Sequence, residues 1–357
     1  MKSSPVKPLL LTFLLLYSLI TLAPAAVYAA SRSPQAPLSP TPAPSVPEAS
    51  PPPATPSPAA GSSPGSVPAH APVATPQPSP EHSAFTLADA ATGQTLTVPD
   101  REFLAAAIAC EMDLNAPQEA LKAQAVAAYT YYSRQRQTGQ PIACDTANWL
   151  VYVPASAMQE RWGEDFDRYQ ALLDQVVDQV FGQTLTYGGE LALTAYFAIS
   201  PGSTEAVENV WSPDAGEDHP YLQAVASPGD AFSDGYLSEA HFTPEEFREA
   251  AEEAFPQADL TGPVEEWLTG PVYTPSGMAK TAVLGGTTVS GGDLRGALGL
   301  RSASFTFTVD QAGFHFTVKG WGHGVGMSQA GAVFLAKRGA DYREILAHYY
   351  PGTELKG

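Results

Sequence analysis

The chain has 357 residues, 44% of them hydrophobic, and a net charge of −19. Its 18 lysines and arginines face 37 acids and form no basic patch, which argues against nucleic acid as a ligand. The same charge repels anionic polymers and favours a neutral partner.

Residues 1–30 read as a targeting segment. Lys2 and Lys7 give a positive start, Leu9 to Leu22 is almost purely apolar, and Ala25 to Ala30 offers small residues for cleavage. The apolar run is short for a membrane span and Pro24 interrupts its end, so a cleaved signal and a retained anchor both stay open. Either way the bulk of the chain is expected to be exported. Residues 31–82 hold half of the 34 prolines among Ala and Ser, with few charges. Such a stretch cannot bury a core and is expected to be a disordered, extended linker. At about 3.1 Å per residue it would reach on the order of 100 Å or more.

Residues 83–357 have globular composition and suffice for one large domain or two joined lobes. Val98 to Met112 predicts a short helix with Asp100 as N-cap and Phe103 as its first core residue. Asn115-Ala-Pro-Gln118 predicts the start of a second helix, capped by Asn115 and reaching about Gln137. Leu121, Ala125, Ala128 and Tyr132 share one face of it, and their small size predicts close packing. Gln183 to Ser200 reads as two strands joined at Gly188-Gly189. Thr243-Pro-Glu-Glu246 predicts a capping box and a helix to about Phe255. Lys280 to Leu300 predicts short strands and a Gly-Gly-Asp turn. Phe305 to Val309 and Phe314 to Val318 alternate as half-buried strands should. A helix from Tyr342 to His348 closes the chain. Cys110 and Cys144 could pair, stay free or form half of a metal site.

The densest signal is Trp321-Gly-His-Gly-Val-Gly-Met-Ser-Gln-Ala-Gly-Ala332. Glycine lets backbone approach a neighbour closely and adopt positive φ, so a glycine-flanked His323 suits the wall of a site. This stretch resembles the GHGVGMSQ signature of the stage II sporulation protein D (SpoIID/LytB) family. Three further blocks match in family order. They are Glu111-Met followed by Glu119-Ala-Leu-Lys-Ala-Gln-Ala-Val-Ala-Ala-Tyr, then Ser200-Pro-Gly-Ser-Thr-Glu205, and then Leu298-Gly-Leu-Arg-Ser302. Tyr129 departs from the pattern, which usually has arginine there.

The resemblance implies an α+β fold of two lobes with a glycan cleft between them, lined by Glu111, the Ser200 loop and the Gly322 to Gln329 loop. It implies a lytic transglycosylase acting on peptidoglycan strands denuded of stem peptides, with a wall amidase and a membrane scaffold as partners. Glu111 is the expected catalytic acid, and Lys122, Gln124, Ser200, Gly202, Thr204, His323, Ser328 and Gln329 are the expected glycan-binding residues. A carboxyl among Ile108, Ala109, Cys110 and Met112 should have a raised pKa, as a general acid requires. Ordinary glycoside hydrolysis needs two carboxylates, and no second acid stands out. The alternative is a non-catalytic wall-binding module that modifies an autolysin or amidase. Some relatives hold zinc through C-D-x-x-H-C, but here Cys144-Asp-Thr-Ala-Asn148 keeps only the first cysteine. No metal is expected at that loop, and no cofactor.

Overall fold

Two hydrophobic cores organise the protein, seen here in a computed structural model that describes residues 83–212 and 214–357. The targeting segment and the Pro-rich linker lie outside the described residues.

The first core begins with β1 (Ala84–Asp89) and β2 (Thr95–Pro99), an antiparallel pair. Helices α1 (Asp100–Glu111) and α2 (Gln118–Arg136) follow, and β3 (Ile142–Cys144) then returns parallel to β1. Next come α3 (Ala155–Trp162) and α4 (Phe166–Val180). On α4 the buried residues Leu173, Val176, Val177 and Val180 recur at helical spacing and turn inward. The hairpin of β4 (Thr184–Tyr187) and β5 (Glu190–Leu191) turns at Gly188-Gly189, as the glycines predicted. Its second strand stops early, however. Residues 196–197 form β6 (Tyr196–Phe197), which pairs elsewhere.

Helix α2 sits at the centre, with α1 and α4 packed on it together with the two helices that end the chain. Its alanines at 120, 123, 125, 127 and 128 are all buried, and their lack of bulk lets four neighbours approach. The sequence predicted one apolar face, but the helix is buried on every side, including Lys122, Gln124 and Thr130. A fully enclosed helix must satisfy its polar side chains internally. Thr130 does so by donating to the Val126 carbonyl at 2.7 Å and accepting the Leu185 N–H at 2.9 Å.

Both helix starts differ from the expected caps. Neither α1 nor α2 has a side-chain cap; Pro99 and Pro117 precede them. Asp100 is instead buried inside the first turn, where Arg136, Tyr129 and Ser83 all donate to its carboxylate. Asn115 donates to Asp113. Tyr129, where the family pattern usually has arginine, thus holds the Asp100 carboxylate in concert with Arg136.

The second core occupies an insertion between β7 (Leu237–Phe242) and β12 (Gly313–Lys319). Within it lie α5 (Pro244–Ala254), β8 (Leu268–Tyr273), β9 (Ala279–Leu284), β10 (Thr287–Ser290), α6 (Gly291–Ala297) and β11 (Phe305–Asp310). They form two antiparallel sheets, ordered β10-β9-β8 and β11-β12-β7. The Thr243 capping box is present with both its hydrogen bonds. Gly291-Gly-Asp293, expected as a turn, opens α6 instead, because the Ser290 hydroxyl accepts the Asp293 N–H at 3.0 Å.

After the insertion the chain returns to the first core through β13 (Met327–Ser328), α7 (Gln329–Lys337), α8 (Tyr342–Tyr349) and β14 (Glu354–Lys356). β13 runs parallel to β6, and β14 closes onto β4. Helix α7, unread in the sequence, starts inside the glycine-rich stretch itself. The architecture is α+β, and among the described residues no helix is long and apolar enough to cross a membrane.

Candidate functional site

The glycine-rich stretch begins on the seam between the two cores and ends against α1 and α2. At the seam, Trp321 and Ile199 exchange backbone hydrogen bonds at 2.7 and 2.9 Å, and Gly322 N–H reaches the Arg301 carbonyl at 2.9 Å. Glu205 N–H donates to the Gly324 carbonyl at 2.7 Å. The Glu205 side chain, 1% exposed, accepts from Ala206, Asn209 and, across the seam, Thr274. Gly326 has φ +79, and a Cβ there would lie 2.0 Å from the Ala195 carbonyl oxygen. Only glycine permits that approach, which brings β13 beside β6.

Glu111 is the last residue of α1 and is half-buried. Burial pushes its carboxyl up to about 7, opposed by a hydrogen bond from Gln329. The carbonyl end of the helix also disfavours a negative charge at this position. Gln329 Nε2 lies 3.3 Å from Glu111 Oε2 and 3.4 Å from Gln124 Oε1, so one amide links the acid to the central helix. Gln124 is fully buried, and among the described residues its Nε2 has no hydrogen-bond partner. Tyr196 belongs to the same neighbourhood. Burial, then the nearby Tyr132 and Glu111, raise its phenol well above the ordinary range.

His323 is fastened at both nitrogens. Its Nδ1 accepts the Val325 N–H at 3.1 Å, which assigns the proton to Nε2, and Nε2 donates to the Tyr196 carbonyl at 3.0 Å. Burial pushes its pKa down to about 4, so the ring is neutral at physiological pH. It packs between Phe197 and Trp211, with ring centroids at 5.5 and 5.7 Å.

A buried polar cluster holds the loops beneath this site. Asp230, 0% exposed, accepts from the Ser200 N–H at 2.7 Å and from the hydroxyls of Ser328 and Ser227. Ser227 also meets the Tyr349 hydroxyl at 2.7 Å. Ser328 caps α7, accepting the Gly331 N–H at 3.2 Å. Gly331 has no space for a side chain, since a Cβ would fall 1.9 Å from the Tyr349 hydroxyl.

The eight expected glycan-binding residues thus fall into distinct positions. Ser200, Thr204, Ser328 and Gln124 are fully buried. Thr204 accepts the Val225 N–H at 2.8 Å and donates to the Gln223 carbonyl. Lys122, expected to bind glycan, is buried and pairs with Glu119, whose other oxygen accepts the Tyr342 N–H. Gly202 is half-buried, has φ +122 and donates its N–H to Ser200 Oγ. His323 and Gln329 lie in the stretch that reaches Glu111. Asp230 was missed, because Ser227-Pro-Gly-Asp230 reads as ordinary turn composition. Glu205 was quoted only as part of a motif. Cys110 and Cys144 are free thiols, and among the described residues no three His, Cys, Asp or Glu side chains are grouped to hold a metal.

Comparison with known proteins supports the kinship suggested by the motifs. The SpoIID family model, described as a stage II sporulation protein, matches residues 89–187, which include Glu111 and all of α2. Stage II sporulation protein D of Bacillus amyloliquefaciens is 33% identical over 265 residues, covering 72% of this chain and 74% of the relative. The protein of the same name from Bacillus subtilis matches to the same extent. An amidase enhancer of Bacillus subtilis is 29% identical over 295 residues, covering 69% of this chain but 39% of the relative. On the strength of these identities, which run well beyond the short motifs, the chain belongs to the stage II sporulation protein D family.

Proposed function

We propose that this protein is a lytic transglycosylase that cleaves peptidoglycan strands during sporulation or wall remodelling, with Glu111 as its single acid and base. The observation that carries this reading is a half-buried carboxyl whose pKa is raised to about 7 beside a single amide donor. Such a group is populated in both forms at neutral pH, as a residue that gives and then takes a proton needs to be. Glu111 protonates the glycosidic oxygen as the bond to the sugar carbon breaks. Its carboxylate then accepts the proton of that sugar's own 6-hydroxyl, whose oxygen closes an anhydro ring. The acid is regenerated and no water is consumed.

Glu205 and Asp230, the acids of the surrounding loops, are buried with their oxygens occupied, which favours a mechanism with one carboxylate. In this scheme Ser200, Thr204 and Ser328 brace the loops, His323 fixes the backbone of β6, and Gln124 orients Gln329. Sugar contact falls to Gly202, Gln329 and the half-buried rings of Tyr131, Tyr196 and Trp211. The acidic chain suits a glycan stripped of its charged stem peptides. Export past the membrane, a wall amidase as partner and a membrane scaffold belong to the same reading.

The test is Glu111→Gln on denuded glycan strands, with products identified by mass spectrometry. Glutamine keeps the shape but cannot deliver a proton, so cleavage should fall by about 10²–10⁴-fold or more. Activity within a few-fold of wild type would remove Glu111 from the mechanism. The similarity to an amidase enhancer favours a second reading, a binding module that stimulates an amidase. Wild-type protein that binds glycan but yields no anhydro ends would establish it.

A further inference from the structure

The second core carries a side-chain array on its solvent face that plays no part in the proposed cleavage. His241 on β7 and His315 on β12 stand directly opposite in the antiparallel register. Their Nδ1 atoms are 2.8 Å apart. His315 Nε2 lies 3.0 Å from Asp310 Oδ1, and His241 Nε2 lies 3.8 Å from Glu239 Oε2. Both imidazoles are accessible, with side chains 60% and 33% exposed. Glu239 and His241 share a face because they are two residues apart on one strand.

Two nitrogens this close need a proton between them. The carboxylate of Asp310 decides which ring supplies it. His315 donates Nε2–H to Asp310, so its Nδ1 is the acceptor and His241 Nδ1 carries the shared hydrogen. That tautomer of His315 presents an unprotonated nitrogen outward while a carboxylate holds the distal N–H. Metal-binding histidines have the same arrangement, in which the carboxylate orients the ring and raises its basicity. When His241 shifts that hydrogen from Nδ1 to Nε2, facing Glu239, the pattern repeats on the second ring.

We propose that His241 and His315 form a cross-strand chelate for a divalent copper ion, bound by the two Nδ1 atoms once the shared hydrogen has moved to His241 Nε2. Nitrogens 2.8 Å apart subtend about 85° at a metal roughly 2.0–2.1 Å from each, close to the right angle of a tetragonal site. Nitrogen and oxygen donors in that geometry suit Cu²⁺, which also binds imidazole most tightly among the first-row divalent ions. Water completes the coordination, since among the described residues no third side chain of the usual ligand types is grouped with the pair. The charge of −19 draws cations to the surface, and Lys319, further along the same face of β12, is the opposing charge on that strand.

The experiment is titration of the full chain with Cu²⁺ at pH 7.5, followed by calorimetry and electron paramagnetic resonance. His241→Asn and His315→Asn are titrated in parallel. We expect one tight site per chain with a two-nitrogen spectrum, weakened at least tenfold by either substitution. The metal should also raise the thermal midpoint of wild type and not of the variants, since it ties β7 to β12. His241 is exposed and His315 half-buried on the solvent face, where substitutions rarely unfold a protein, and circular dichroism verifies that the variants keep the fold. Variant titrations that superimpose on wild type, or a one-nitrogen spectrum unchanged by either substitution, would overturn the proposal. Glycan cleavage enters none of these measurements, so the site stands or falls apart from the proposed activity.

Discussion

The two cores are built of different material. The insertion fills its interior with rings: Phe314 lies 3.8 Å from Phe247 in a stacked pair, and Trp267, Phe305 and Phe316 surround them. The first core packs alanines around α2 and encloses polar groups as well, among them Asp100, Asp230, Glu205 and Gln124. Burying a polar group is costly unless it is hydrogen-bonded, so the first core must be arranged with care wherever those groups lie. Loops tied to buried carboxylates can hold a carboxyl such as Glu111 in a fixed, desolvated position, which an apolar core alone does not do.

Substitutions can break this contrast. The largest effect on stability is expected in the aromatic core. Phe314→Ala should cost about 3–5 kcal/mol by denaturant unfolding, through lost burial and the cavity left behind. If the cores are separate, the pKa of Glu111, followed by carboxyl NMR, should stay near its wild-type value in the variant that remains folded. A large shift would show that the insertion shapes the site.

Next is Asp230, where the kind of substitution should matter more than the loss of charge. Asp230→Ala leaves the Ser200 N–H without its acceptor, at about 1–3 kcal/mol, while the Ser227 and Ser328 hydroxyls are free to rotate and Ser227 can donate to Tyr349. Asp230→Asn can keep its oxygen toward Ser200 and Ser328 and turn its amide toward Ser227, whose hydroxyl can then donate to Tyr349. The asparagine variant should therefore lie within roughly 1 kcal/mol of wild type. Equal losses in the two variants would mean that the negative charge itself holds the loops.

The smallest effect sharpens the contrast at Glu111. Its folded pKa lies above the unfolded value, so the native state binds more protons between about pH 4.5 and 7. Stability should fall as pH rises through that window, because a charged carboxylate is then forced into a desolvated place. Glu111→Gln does not titrate. It should be more stable than wild type at pH 8, by on the order of 1–2 kcal/mol after allowance for partial exposure, and closer to wild type at pH 4. Thermal midpoints of both proteins across that range would decide it. Parallel curves would mean that Glu111 is better solvated than its surroundings suggest.

Much was legible in the sequence where one local rule governs. The Thr243 capping box, the Gly188-Gly189 turn and the alternation of β11 and β12 each depend on neighbours a few residues away. The candidate acid was legible too, because Glu111 stands in a motif and among apolar residues at the end of a helix. Helix α2 shows the limit. Its pattern predicted one buried face, yet four helices enclose it, and small residues on every side look the same in sequence whether one neighbour or four are present.

The polar residues of the motifs were harder still. Ser200 and Ser328 look like ligand-binding groups from their type and their glycine neighbours. Only the fold brings Asp230 between them, from 30 residues away on one side and 98 on the other. Likewise, the sequence names Gln329 but cannot tell that its amide reaches Glu111, 218 residues earlier. What the sequence determined by itself was the family and many of the local elements, together with Glu111 as a candidate acid, because these follow from short-range pattern. The tertiary structure alone decided which polar groups face each other and which stay open to a ligand, because desolvation and hydrogen-bond partners arise only when distant segments meet.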